Sequence, residues 1–267
     1  MVSCDSVVRC FLLMLFMDKG KRVYFISDMH LGASTLESPR ETEKRVVRWL
    51  DSVKDTASAI YMLGDVLDYW YEYRSVVPRG YVRFFGKIAE LTDSGVEVHW
   101  LIGNHDIWIF DYLPSEIGII VHRESFVTEI AGKRFYLGHG DGEGEISFGF
   151  RLIRWIFRNR ICQLLYASVH PRWTVSFADG CSSGSRRSGR GTLKFKDDAA
   201  NPLVVFAEKY NRRENGAIDY FVFGHQHIAF QRPLSSGGSI TLTGDWISLF
   251  TYAEFDGTAL TLKRFDG

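Results

Sequence analysis

At 267 residues, 46% of them hydrophobic and 24% charged, the chain suits one large domain, or one domain plus an insertion, with ample core. Its 32 Lys and Arg balance 32 Asp and Glu, so the net charge of zero gives no case for a nucleic-acid partner. Four cysteines (Cys4, Cys10, Cys162 and Cys181) show no Cys-x-x-Cys spacing, which argues against a zinc or disulfide framework and fits a reducing cytoplasm.

The apolar run 11–17 is far too short to span a bilayer. Met17-Asp18-Lys19-Gly20-Lys21 follows it, where a signal peptide would place small residues for cleavage. Residues 1–20 therefore read as an N-terminal extension, with Met17 an alternative start, and 21–267 as the domain. Residues 22–26 form a buried strand running into Ser27-Asp28-Met29-His30-Leu31-Gly32. Over 37–54, Val46, Val47, Leu50 and Val53 recur at helical spacing. A second buried strand, 59–63, ends in Gly64-Asp65-Val66-Leu67-Asp68, and 79–92 carries a second helix, stopped at Ser94-Gly95. The strand 96–102 ends at Gly103, and Asn104-His105-Asp106 follows at once. Strand, helix, strand, helix, strand is the parallel βαβ pattern.

A hairpin is predicted over 125–130 and 133–137, its second strand ending in Gly138-His139-Gly140-Asp141. Residues 146–196 break the rhythm and read as an insertion; within it the Ser-, Gly- and Arg-rich stretch 182–191 reads as a mobile loop. Asn201-Pro202 opens a helix to Glu214. The strand 219–223 ends in Gly224-His225-Gln226-His227. Strands at 240–243, 247–255 and 258–265 finish the chain, the last two joined at Asp256-Gly257.

Five predicted strand ends thus carry polar clusters, most introduced by glycine, and parallel strands gather their C-terminal ends in one place. A lone histidine is more often structural than a ligand, and His99, His122 and His170 are read so. Taken together, Asp28, His30, Asp65, Asn104, His139, His225 and His227 offer two carboxylates, one amide and four imidazoles, with no thiolate. That set suits Mn²⁺, Fe²⁺ or Zn²⁺. Seven ligands are too many for one ion. A carboxylate such as Asp65 can bridge two, and paired metals clamp both oxygens of an in-line displacement at phosphorus.

In this order Asp-x-His, Gly-Asp-x-x-Asp, Gly-Asn-His-Asp, Gly-His and Gly-His-x-His resemble the motifs of the calcineurin-like metallophosphoesterases, over residues 23–227. The resemblance implies an α/β fold, an α/β/β/α sandwich of two sheets. It implies two divalent ions, Mn²⁺ foremost, one on Asp28, His30, Asp65 and His227 and the other on Asp65, Asn104, His139 and His225. His105 would assist phosphoryl transfer, with Asp106 orienting it. Within that superfamily, Ser-Asp-Met-His-Leu-Gly, Gly-Asp-Val-Leu-Asp-Tyr-Trp, Gly-His-Gly-Asp and His170-Pro171-Arg172-Trp173 look closest to the UDP-2,3-diacylglucosamine diphosphatases of lipid A synthesis. These split a lipid-linked nucleotide into UMP and a lipid monosaccharide phosphate, which implies a cytoplasmic protein peripheral on the inner membrane. There is one departure: the best-known proteobacterial members carry Arg in place of His105.

The insertion adds its own signal. Eight Arg, two Lys and one Asp give 146–196 a net charge of +9, interleaved with residues such as Trp155, Phe157 and Leu164. Arg151, Arg154 and Arg158 share one helical face. Such a mixture suits a helical, lid-like element over an anionic acyl substrate, with these arginines as candidate substrate ligands; the plainer reading is a buried helix with a solvated Arg face. Two rivals stand beside the diphosphatase: another phosphodiesterase or phosphatase of the same superfamily acting on a soluble substrate, and a metal-free scaffold, which the complete ligand set disfavours.

Overall fold

The computed structural model describes residues 14–15, 20–34, 36, 38–144, 148–171 and 199–267. Two six-stranded sheets lie face to face. The first runs β12 (Leu260–Arg264), β11 (Thr251–Phe255), β2 (Arg22–Ile26), β3 (Ala57–Met62), β4 (Glu97–Leu101), β5 (Ile120–His122). The second runs β1 (Met14–Leu15), β6 (Phe126–Ile130), β7 (Lys133–Leu137), β8 (Tyr220–Phe223), β10 (Ser239–Thr243), β9 (Ala229–Pro233). In the first sheet β2, β3, β4 and β5 are parallel; in the second β7, β8 and β10 are. Both parallel sets end toward the same site.

Alternation along the strands explains the layers. Val23 and Phe25 of β2 join Tyr61, Phe135 and Val222 in a core between the sheets. Tyr24 and Ile26 face the other way, toward α1 (Pro39–Val53) and α2 (Val82–Asp93), with Trp49, Phe84 and Trp100. On the outer face of the second sheet, α6 (Pro202–Arg213) lays Leu203, Val204 and Ala207 over Phe221 and Phe223. Asn201 caps α6 by accepting from the Leu203 N–H, as its position before Pro202 predicts. Helix, sheet, sheet, helix is the sandwich expected.

His99 is structural: it stacks on Tyr61 at 4.2 Å, and its Nδ1 faces Nε2 of His122 at 2.9 Å. Burial pulls both imidazoles down to about 4, which keeps them neutral between the sheets.

One strand begins later than its sequence predicts. Residues 247–250 do not extend β11, because the Asp245 carboxylate accepts from the N–H groups of Ile247, Ser248 and Leu249 and folds them into a turn. Short strands β5 and β9, both at sheet edges, and α3 (Tyr112–Ile117) went unread. Met14–Leu15 pairs with Glu129–Ile130 at the edge of the second sheet. Met17 as an alternative start and the loop at 182–191 lie outside the described residues.

The described part of the insertion is a helical pair, α4 (Phe148–Arg158) and α5 (Arg160–Ala167). It is seated on aromatic residues of two loops that leave the first sheet. Trp108 donates from Nε1 to the Phe157 carbonyl (2.9 Å) and stacks on Tyr166 at 4.9 Å, and the Tyr71 hydroxyl donates to the Gln163 carbonyl (2.7 Å).

Candidate metal centre

The loops after β2, β3 and β4 meet those after β7 and β8 across the top of the sandwich. Backbone pairing continues past the strand ends: Asp28 N donates to Gly64 O, His30 N to Asp65 O, and Gly224 N to His139 O. Asp28, His30, Asp65, His225 and His227 all hold positive φ, between 42° and 68°. Non-glycine residues reach that region rarely and at a cost, and such strain concentrates at functional sites. The preceding glycines permit the crowding. A Cβ on Gly103 would sit 2.2 Å from Asp65 Oδ1, and one on Gly224 would sit 2.5 Å from Asp28 Oδ2.

All seven expected ligands converge. Asp28, His30, Asp65 and His139 form a buried floor; Asn104, His225 and His227 are partly exposed around it. Asp65 Oδ2 lies between two groups, 3.7 Å from His30 Nε2 and 3.4 Å from His139 Nε2. On one side Asp28 Oδ1 lies 3.6 Å from His227 Nε2. On the other, Asn104 Oδ1 lies 3.3 Å from His139 Nε2, and the His139 and His225 rings are 5.0 Å apart. Asp28, His30 and His227, and separately Asp65, His139 and His225, each present ligand atoms within 4.8 Å of one another.

The surroundings aim these atoms. His139 Nδ1 donates to Leu63 O at 2.8 Å, leaving Nε2 for the site. His30 Nδ1 faces Asp68 Oδ1 at 3.2 Å, and His227 Nδ1 faces Asp245 Oδ2 at 3.5 Å. Burial works against charge on every one of these side chains, yet opposite neighbours outweigh it at three of them. The charges of His139, His105 and His30 hold Asp65 well below the usual carboxylate range. Asp65 holds His139 well above the usual imidazole range, and Asp245 with Asp28 raises His227. His30 and His225 are lowered, by burial first.

A divalent cation fits this arrangement. Asp28 Oδ1 is buried and accepts no hydrogen bond among the described residues, which is costly unless a cation completes it.

A family model described as calcineurin-like phosphoesterase matches residues 21–229. The chain belongs to that family. It is 42% identical over 257 residues to a protein of Porphyromonas gingivalis named UDP-2,3-diacylglucosamine hydrolase, covering 92% of this chain and 98% of the relative. A Stenotrophomonas maltophilia protein of the same name is 26% identical over 248 residues, 89% of this chain and 96% of that one.

His105, beside the ligands, is tied in twice: its backbone N–H donates to Asp65 Oδ1 (3.0 Å) and its Nδ1 to the Asp68 carbonyl (2.9 Å). Asp106 corrects an expectation. It does not orient His105, because both its oxygens are taken, by the N–H groups of Gly103 (2.7 Å) and Val66 (2.9 Å) and by Trp100 Nε1 (3.0 Å). Burial, with the Asp65 charge, pushes its carboxyl up to about 6. Asp106 is a brace between two ligand loops, and Asp68 is the residue that meets His105. Asp68 stood in the Gly-Asp-x-x-Asp motif without an assigned role. Asp245 was missed, although the 240–243 strand ends in Gly244-Asp245, the same strand–glycine–polar signal that marked the ligands.

The arginine face divides. Arg154 lies 3.9 Å from Asp141 and 3.8 Å from Glu124, and Arg158 is bonded to Glu124 and to the Arg123 carbonyl. These two turn into the domain and fasten α4, beside His139 and Asp141; Arg151 is exposed. The apolar residues point outward instead. Trp155 is 60% exposed, and Ile161, Leu164 and Leu165 are 66–69% exposed. None of the described helices is long and apolar enough to cross a membrane.

Proposed function

We propose that the chain is a metal-dependent hydrolase that cleaves the diphosphate of UDP-2,3-diacylglucosamine to UMP and 2,3-diacylglucosamine 1-phosphate, working on the cytoplasmic face of the inner membrane. The observation that carries the lipid part is the exposed apolar surface of α4 and α5, seated directly on the loops that bear Asp68 and His105 through Tyr71, Trp108 and Tyr166. Exposed patches of that kind mark interaction sites. The 42% identity to a named hydrolase of the same lipid nucleotide supports the same reading.

Asp28, His30, Asp65 and His227 would hold one divalent ion, and Asp65, Asn104, His139 and His225 the second. A pair of Mn²⁺ ions there would supply Lewis acidity at phosphorus and an activated water. The protein's own groups do the rest. Asp68 and Asp245 fix the tautomers of His30 and His227. His105, held through Nδ1, keeps Nε2 for the leaving phosphate oxygen, where it donates a proton or stabilises charge. Water's oxygen becomes bonded to phosphorus as the anhydride P–O bond breaks. Arg151 is left to meet a phosphate or an anionic headgroup, while Ile161, Leu164 and Leu165 meet acyl chain.

Substituting those three by serine tests the lipid contact without disturbing the core, since all are exposed. Each CH₂ kept from water contributes about 0.8 kcal/mol, so the ratio of kcat/KM on the lipid substrate to that on an aryl phosphodiester should fall at least ~10-fold in matched detergent. An unchanged ratio would mean that these side chains do not meet the acyl chains.

A further inference from the structure

Beside the metal centre lies a cavity of about 710 Å³, inside the roughly 300–1,000 Å³ range of small-molecule sites. It opens between the first turn of α1 and the loop that leads into α2. Asp68 and Leu31, neighbours of the candidate ligands, form one wall, and Pro171 of the insertion forms another. Arg40 and Arg79 line it, both exposed, and neither has an ion pair among the described residues. Its two acids are already engaged. Glu43 accepts from the N–H groups of Arg83 (3.1 Å) and Phe84 (3.3 Å) at the start of α2, and Asp68 holds His30 and His105. The cavity therefore presents cations rather than a balanced charge.

It also presents a fixed aromatic ring. Tyr81 holds a left-handed backbone, φ 61°, after Gly80 at φ 118°. Trp70 and Phe85 clamp its ring edge-on at 6.1 and 5.9 Å. Its hydroxyl closes over Gly32, where a Cβ would lie 2.3 Å away. A pre-positioned ring in a cavity that two arginines also line, one wall shared with the candidate metal centre, matches a nucleoside phosphate: base against the ring, anionic oxygens toward the arginines. Leu31, Val77 and Pro78 line the cavity beside the two arginines, so its lining is mixed; the apolar face of α5 lies elsewhere on the insertion.

We propose that this cavity takes the nucleoside monophosphate half of the substrate, with Arg40 and Arg79 on its phosphate and ribose oxygens and Tyr81 against the base. The identity of the nucleotide rests on the diphosphatase reading; the existence of the subsite rests on the cavity itself.

Calorimetric titration of the full-length, Mn²⁺-loaded protein with UMP tests it, with inorganic phosphate as the second probe. Wild type should bind UMP saturably and more tightly than phosphate. Arg40→Ala and Arg79→Ala should each weaken UMP binding about 10-fold, the scale of one charge-assisted hydrogen bond. The double variant should erase the preference for UMP over phosphate, and Arg79→Lys should recover part of it. Absence of saturable UMP binding in wild type, or equal UMP affinity in wild type and double variant, would overturn the subsite. Arginine-dependent UMP binding by a protein that fails to hydrolyse UDP-2,3-diacylglucosamine would keep the subsite and remove the diphosphatase reading. Turnover of that lipid with arginine-independent UMP binding would do the reverse.

Discussion

Asp65→Asn should lower turnover by roughly 10²–10³-fold or more and lower the bound metal together with it. Asparagine tolerates the left-handed backbone that Asp65 holds at φ 52°, and it can still accept from the His105 N–H, so the fold should survive. What it removes is the carboxylate charge between His30 Nε2 and His139 Nε2, at 3.7 and 3.4 Å. Both cation positions lean on that one group. Chelation of the wild type should have the same effect, reversed by Mn²⁺. Metal analysis beside the activity assay checks both halves; undiminished turnover in metal-stripped protein would end the two-metal account.

The second large effect is expected at His105. His105→Ala should cut kcat by roughly 10²–10⁴, the range for a positioned proton donor or charge stabiliser. Metal content should stay as in wild type, because the atoms that hold His105 are a backbone carbonyl and an Asp65 oxygen turned away from His30 and His139. Loss of metal with activity would make His105 a ligand. His105→Arg separates the two possible roles. Arginine supplies charge but does not give up its proton, so near-native kcat in that variant points to charge stabilisation, and a loss like alanine's points to proton transfer.

The parts of this site that were legible in the sequence share one physical cause. A buried strand must end abruptly, a glycine lets the next loop pass close to its neighbours, and the polar residue that follows is then forced into the site; Gly103 against Asp65 and Gly224 against Asp28 are the structural trace of that pattern. Of the strands that position the candidate ligands, β3, β4, β7 and β8 were legible for the same reason, and β2 by its buried run into Ser27-Asp28 without a glycine. Asp245 carries the same signal, but Ile247, Leu249 and Phe250 after it imitate the start of a strand, and only the hydrogen bonds to its carboxylate show the turn. The resemblance gave Asp106 the role of orienting His105, yet successive residues in a turn diverge, and its partners Val66 and Trp100 come from other segments.

The insertion shows a different limit. Helical spacing put Arg154 and Arg158 on one face correctly, but periodicity does not say which face meets the domain. Glu124 and Asp141, distant in sequence, decide it by pairing with the arginines and turning apolar residues outward. Amphipathic helices normally bury the opposite face. The inversion leaves the apolar residues of α4 exposed.

The most direct measurement is product identification. Purified protein with Mn²⁺ and UDP-2,3-diacylglucosamine should release UMP and 2,3-diacylglucosamine 1-phosphate in equal amounts, followed by phosphorus NMR and mass spectrometry. Hydrolysis of an aryl phosphodiester under the same conditions without release of UMP from the lipid nucleotide would contradict the account.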